Sequence, residues 1–81
     1  MASTVTLYTR AGCHLCDDAK HVIEAARRRA VFAYEEIDID GDAELQERYN
    51  FEVPVIAIDG VKAFKYRVNE DELLKKLEAR R

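Results

Sequence analysis

The sequence predicts an α/β fold in the order β-α-β-α-β-β-α, and three observations carry that prediction. A β-branched run leads directly into a long stripe of helically spaced apolar residues. A continuous apolar run is followed by Asp59-Gly60 and a second strand-like segment. The last third of the chain closes on a leucine-rich helical face. At 81 residues the chain suits one domain, 1–81, because so short a chain buries too little surface to support two cores.

The first strand is Thr4-Val5-Thr6-Leu7-Tyr8-Thr9, rich in β-branched and aromatic residues that alternate in polarity. It runs straight into Arg10-Ala11-Gly12-Cys13. Ala19, Val22, Ile23, Ala26 and Ala30 then recur at helical spacing and predict a helix over residues 14–30. Its charges agree with the helix dipole, with Asp17 and Asp18 near the start and Arg27, Arg28 and Arg29 near the end. A second strand is predicted over residues 31–37. The cluster Asp38-Ile39-Asp40-Gly41-Asp42 then opens a short helix whose inward face is Leu45 and Tyr49, with Asn50 as its left-handed terminator.

Val55-Ile56-Ala57-Ile58 is an uninterrupted apolar run of the kind that forms a buried strand. Asp59-Gly60 joins it to Val61-Lys62-Ala63-Phe64, and Asp-Gly between two such segments predicts an antiparallel hairpin. Asn69 with Glu72 supplies an N-cap and capping-box pattern ahead of Leu73, Leu74 and Leu77. No linker, repeat or low-complexity tract interrupts this order. A right-handed crossover places the first helix over the sheet, while the last helix is left free to cover either face.

Composition narrows the function. The formal net charge is −3, from 13 Lys plus Arg against 16 Asp plus Glu, so no positive field draws in nucleic acid or anionic lipid. The N-terminal residues lack a basic region followed by an apolar run, and no stretch approaches the roughly 18–20 apolar residues that span a bilayer. A cytoplasmic, monomeric protein with no membrane partner is expected. The two cysteines form one pair three residues apart, so they are not the framework of a disulfide-stapled miniprotein, and a local redox or metal role is left.

Cys13 falls at the junction of the first strand and the first helix. A thiol attacks only as its thiolate, and a helix start supplies free N–H groups and the positive end of the dipole, which lower the thiol pKa from about 8.5. Arg10, three residues earlier, adds a positive charge to that end of the chain. Cys16 shares a helix face with Cys13 and can reach it, which suits an attacking thiol and a resolving thiol. His14 and Leu15 lie between them and bias how readily the pair oxidises, His14 favouring the thiolate when protonated.

The competing readings are plainer. The cysteines could be inert buried thiols, although burial explains neither their spacing nor their placement. A zinc set would need Cys13, Cys16, His14 and His21, but His21 lies about 140° around the helix from Cys16, so no metal site is predicted within one chain. Tyr8, Phe32, Tyr34, Phe51 and Phe64 are read as core or rim packing, and Tyr66 and Arg67 as possible walls of a groove. Pro54, the only proline, starts a buried strand, where sequence physics favours a trans bond.

Leu7-Tyr8-Thr9-Arg10-Ala11-Gly12-Cys13-His14-Leu15-Cys16, then Val53-Pro54-Val55, then Asp59-Gly60 resemble the glutaredoxin-like branch of the thioredoxin superfamily over essentially the whole chain. The resemblance implies a thioredoxin fold, a four-stranded mixed sheet flanked by three helices, with a cis Val53–Pro54 bond against the cysteine pair. It further implies that the Val53 backbone pairs with the substrate's cysteine, that Arg10 stands where glutaredoxins contact glutathione, and that Leu15 stands where they usually carry tyrosine. The Cys-His-Leu-Cys motif is similar to that of a group of short glutaredoxin-like proteins.

Residues 65–71 depart from the family pattern. Glutaredoxins carry a Gly-Gly turn and then an acidic residue that binds the amino group of glutathione, whereas this chain has Lys65-Tyr66-Arg67-Val68-Asn69-Glu70-Asp71, with Asp71 as the substitute acid. The implied function is thiol–disulfide exchange, with no tightly bound cofactor and with a protein disulfide or a glutathione mixed disulfide as substrate. Glutathione or a thioredoxin-reductase-type donor is the implied reductant. A non-catalytic redox sensor, or an adaptor holding a metal or iron–sulfur cluster on the same cysteines, is the alternative.

Overall fold

In the computed structural model, which describes residues 3–79, the chain forms β1 (Thr4–Thr9), α1 (His14–Arg27), β2 (Ala33–Asp38) and a 3₁₀ turn (Ile39–Gly41). It continues through α2 (Ala43–Tyr49), β3 (Val55–Ile58), β4 (Val61–Lys65) and α3 (Glu70–Ala79). The strands lie in the order β2-β1-β3-β4. β1 runs parallel to β2 and antiparallel to β3, and β3 pairs antiparallel with β4. This is the expected four-stranded mixed sheet with three helices.

The two faces of the sheet bury different helices. Val5 and Leu7 of β1, with Ile56 and Ile58 of β3, pack under Ile23 and Ala26 of α1 and under Leu73 and Leu77 of α3. Each fully buried Val, Leu or Ile side chain among them contributes about 1.5–3 kcal/mol. The opposite face carries a smaller core of Ile39, Tyr49 and Val55, against which Tyr8, Leu45 and Val53 pack. Tyr8 and Tyr49 stack there with ring centroids 4.8 Å apart. The last helix therefore shares its face with α1, a choice the sequence had left open.

The hairpin turns at Asp59 and Gly60, whose φ values of 51° and 84° are both positive, as the tight two-residue turn demands. Asp59 Oδ1 accepts the Thr4 amide at 2.9 Å and ties the turn to the start of β1. Asn69 Oδ1 accepts the Glu72 amide at 3.1 Å and so caps α3.

Four expectations need correction. α1 ends at Arg27 instead of residue 30, because its last turn tightens: the amides of Arg28 and Arg29 bond three residues back, to Ala25 and Ala26. β2 begins at Ala33, leaving Val31 outside the strand and 85% exposed. Asn50 is right-handed (φ −49°, ψ −40°), not left-handed. Its carbonyl and side-chain oxygens both accept from Arg10, so it terminates α2 as an acceptor for a distant side chain. Phe51, read as packing, is 86% exposed.

Candidate functional site

The antiparallel register pairs Tyr8 with Val55, which brings the outgoing end of β1 to the incoming end of β3. The cysteine segment follows β1 and the Val53–Pro54 segment precedes β3, so both arrive at one end of the sheet. The Val53–Pro54 peptide is cis. Pro54 is buried, and its carbonyl accepts the Tyr66 amide at 2.9 Å, fixing the end of β4 to the same corner.

Cys13 is the N-cap of α1, with extended backbone (φ −91°, ψ 110°), and its sulfur accepts the Cys16 amide at 3.2 Å. The helix thus begins by giving one of its free amides to the Cys13 sulfur, an arrangement that favours negative charge on that sulfur. Gly12, at φ +75°, makes the left-handed bend that lets β1 turn into the helix. Cys13 is half-buried, Cys16 is 1% exposed, and the two are joined as a disulfide with their Cα atoms 5.2 Å apart.

The remaining predicted site residues divide. His14 is exposed at the first position of α1, and Leu15 is half-buried in its first turn. Val53 is half-buried against the Tyr49 core. Arg10 turns to the α2 side: its guanidinium lies 2.6 Å from Asp40 and 2.7 Å from Asn50 Oδ1. That pairing raises the pKa of Arg10 and, through the same hydrogen bond, lowers that of Asp40. Asp71 is held at 3.1 Å by Arg29, which also pairs with Glu70 at 2.7 Å. Glu52, just ahead of Val53, bonds Lys62 at 2.8 Å, which draws its pKa below the ordinary range and fastens this loop to β4.

A cleft of about 450 Å³ opens between α1 and the link from β4 to α3. Leu15, Val22 and Val68 give it apolar walls, and Asp18, Arg67 and Glu72 bring charge to it. Tyr66 and Arg67, read as possible groove residues, both line it. Asp18, read in the sequence only as a helix-dipole charge, and Glu72, read only as half of a capping box, both line this cleft, and no local pattern in the sequence places them together. Among the described residues, no three His, Cys, Asp or Glu side chains gather into a set that could hold a metal ion. No helix among them is long and apolar enough to cross a membrane.

Fold and site together define a thioredoxin-fold protein with a redox-type cysteine pair at the head of its first helix. The chain belongs to the Glutaredoxin-like domain (DUF836) family, whose model matches residues 4–78. It is 39% identical over 80 residues to the glutaredoxin-like protein YDR286C homolog of Dictyostelium discoideum, covering 91% of this chain and 74% of that one. Protein XcR50 of X. campestris has a similar structure, with a TM-score of 0.78, 33% identity, and 93% and 96% of the two chains covered. Desulfothioredoxin of Desulfovibrio vulgaris Hildenborough, in its reduced form, is similar at a TM-score of 0.71 and 25% identity, over 100% of this chain and 83% of its own.

Proposed function

We propose that the protein is a thiol–disulfide oxidoreductase in which Cys13 is the nucleophile and Cys16 the resolving thiol. The observation that carries this reading is the unequal placement of the two sulfurs: Cys13 is partly exposed and accepts a helix amide, while Cys16 is buried beneath it. Family membership and the thioredoxin-fold relatives support a redox role for the pair.

In the reduced protein the Cys13 thiolate attacks one sulfur of a substrate disulfide, breaking that S–S bond and releasing the other sulfur as a thiolate that takes up a proton. Cys16 gives up its proton and attacks the Cys13 sulfur of the mixed disulfide. The substrate's second thiol leaves, and the Cys13–Cys16 disulfide forms. Two electrons pass to the substrate, and two thiols of a reductant must return them. The substrate is a protein disulfide or a glutathione mixed disulfide, and the reductant is glutathione or a thioredoxin-reductase-type donor. Val53 and Pro54 form the edge against which the substrate's cysteine lies, and His14 and Leu15 border the attacking sulfur.

Turnover of an insulin-type protein disulfide and of a glutathione mixed disulfide, each with a competent reductase supplied, tests this reading. Activity should vanish in Cys13→Ser, while Cys16→Ser should accumulate a covalent mixed disulfide with substrate. Failure of the wild-type protein to turn over either substrate would contradict it.

A further inference from the structure

We propose that the cleft between α1 and the β4–α3 link seats an apolar side chain of a disulfide-bearing polypeptide that carries a basic residue beside it, and that Tyr66, Asp18 and Glu72 select this segment over glutathione. The proposal rests on the dithiol reading above and specifies its substrate class.

The cleft starts at the reactive corner. Leu15, which lies between the two cysteines, forms part of its wall, and Tyr66, another wall residue, is bonded through its amide to Pro54. Its volume of about 450 Å³ is within the range of ordinary ligand sites. Leu15, Val22 and Val68 offer an apolar side chain a surface to cover.

The charges facing the cleft are two carboxylates, Asp18 and Glu72, against one guanidinium, Arg67. Glutathione carries two carboxylates and one ammonium group, so it meets the opposite balance there. A segment inside a polypeptide brings no terminal carboxylates, and a Lys or Arg beside its apolar residue matches the surplus negative charge. Asp71, which stands in the sequence where glutaredoxins bind the amino group of glutathione, is engaged by Arg29. The side-chain oxygen of Asn69 is used in capping α3.

Tyr66 supplies an independent observation. Its φ of +67° lies in the left-handed region, and the Arg67 amide bonds the Lys65 carbonyl at 2.8 Å across it, the pattern of a γ-turn of the rare, strained hand. Glycine would adopt this turn freely. A tyrosine is held there, 43% exposed and among the residues lining the cleft, with the Lys65 ammonium 5.5 Å from its ring centroid. Backbone strain concentrates where a side chain serves binding, and Tyr66 narrows the corner that a small-residue turn would open.

The test compares kcat/KM for two peptide disulfides that share a leucine near the cysteine and differ only in a neighbouring Lys or Glu, with glutathione disulfide and hydroxyethyl disulfide measured alongside. The Lys peptide should exceed the Glu peptide by about fivefold at low salt and exceed glutathione disulfide, with the ratio shrinking at high salt. Glu72→Lys should abolish or invert the Lys-to-Glu ratio, and Tyr66→Gly should shift preference from the peptides toward glutathione disulfide. Equal rates for the two peptides, a ratio unchanged by Glu72→Lys, or a preference for glutathione disulfide would overturn the proposal. Turnover of hydroxyethyl disulfide with no peptide discrimination rejects the cleft and leaves the dithiol chemistry standing. No turnover of any disulfide rejects both.

Discussion

The Arg10 guanidinium lies 2.6 Å from the Asp40 carboxylate and bonds Asn50 at 2.7 Å, so the cation nearest the cysteine segment in sequence is matched by an acid and tied to the end of α2. Its role in the fold is to join the tail of β1 to the 3₁₀ turn and to α2. Arg10→Ala should therefore lower the melting temperature by a few degrees, as expected for a partly exposed ion pair with an added hydrogen bond. It should leave the pH midpoint of Cys13 alkylation nearly unchanged. Thermal melts and alkylation rates on the same variant check both parts.

The same pair sets a pH dependence. The hydrogen bond from Arg10 lowers the folded-state pKa of Asp40 from its ordinary 3.8, so folding favours the ionised form. That contribution is complete above the unfolded value and is lost as pH falls through the lowered folded value. Urea unfolding across the acid range should show the wild type's advantage over Asp40→Asn constant near neutrality, shrinking below pH 3.8, and gone once the carboxyl is protonated.

Gly60 gives a cleaner backbone test. A β-carbon added there would meet nothing within 4 Å, yet its φ is +84°. Gly60→Ala should cost about 1–2 kcal/mol from conformation alone, with no steric clash to obscure the value. Equilibrium unfolding at neutral pH measures it.

Tyr66 predicts the opposite sign. Removing the side chain relieves the strain of a non-glycine residue at φ +67°, partly offset by the greater freedom of glycine in the unfolded chain and by the lost ring contacts. Tyr66→Gly should raise stability by up to about 1 kcal/mol. Denaturant midpoints compared at equal m-value test this. A stabilised variant with altered substrate preference would show stability and selectivity opposed at one residue.

The sequence disclosed β1, β3, the hairpin and the cysteine-bearing helix because each rests on local chemistry: β-branched alternation, an apolar run, Asp-Gly, and Cys13 before a helical stripe. The resemblance carried by Cys13–Cys16 and Val53-Pro54 extended this to the sheet and its helices. Where α1 stops was hidden, since Ala30 still packs on the core although the last turn has tightened beyond Arg27. The destinations of long side chains were hidden as well. Arg10 bonds residues 30 and 40 positions away, and Arg29 bonds partners 41 and 42 positions away. No local pattern encodes such pairs. The cleft is equally non-local, since Leu15 and Asp18 meet Val68 and Glu72 only because α1 and α3 lie on one face of the sheet.

The most direct test of the central claim is the pH dependence of iodoacetamide alkylation in the reduced protein, with the modified cysteine identified by mass. The unequal placement of the sulfurs predicts that Cys13 is labelled selectively, with a midpoint below neutral pH and well under the ordinary thiol value of about 8.5, while Cys16 is labelled slowly. A Cys13 midpoint at or above that ordinary value, or labelling of Cys16 ahead of Cys13, would contradict the assignment of Cys13 as the nucleophile.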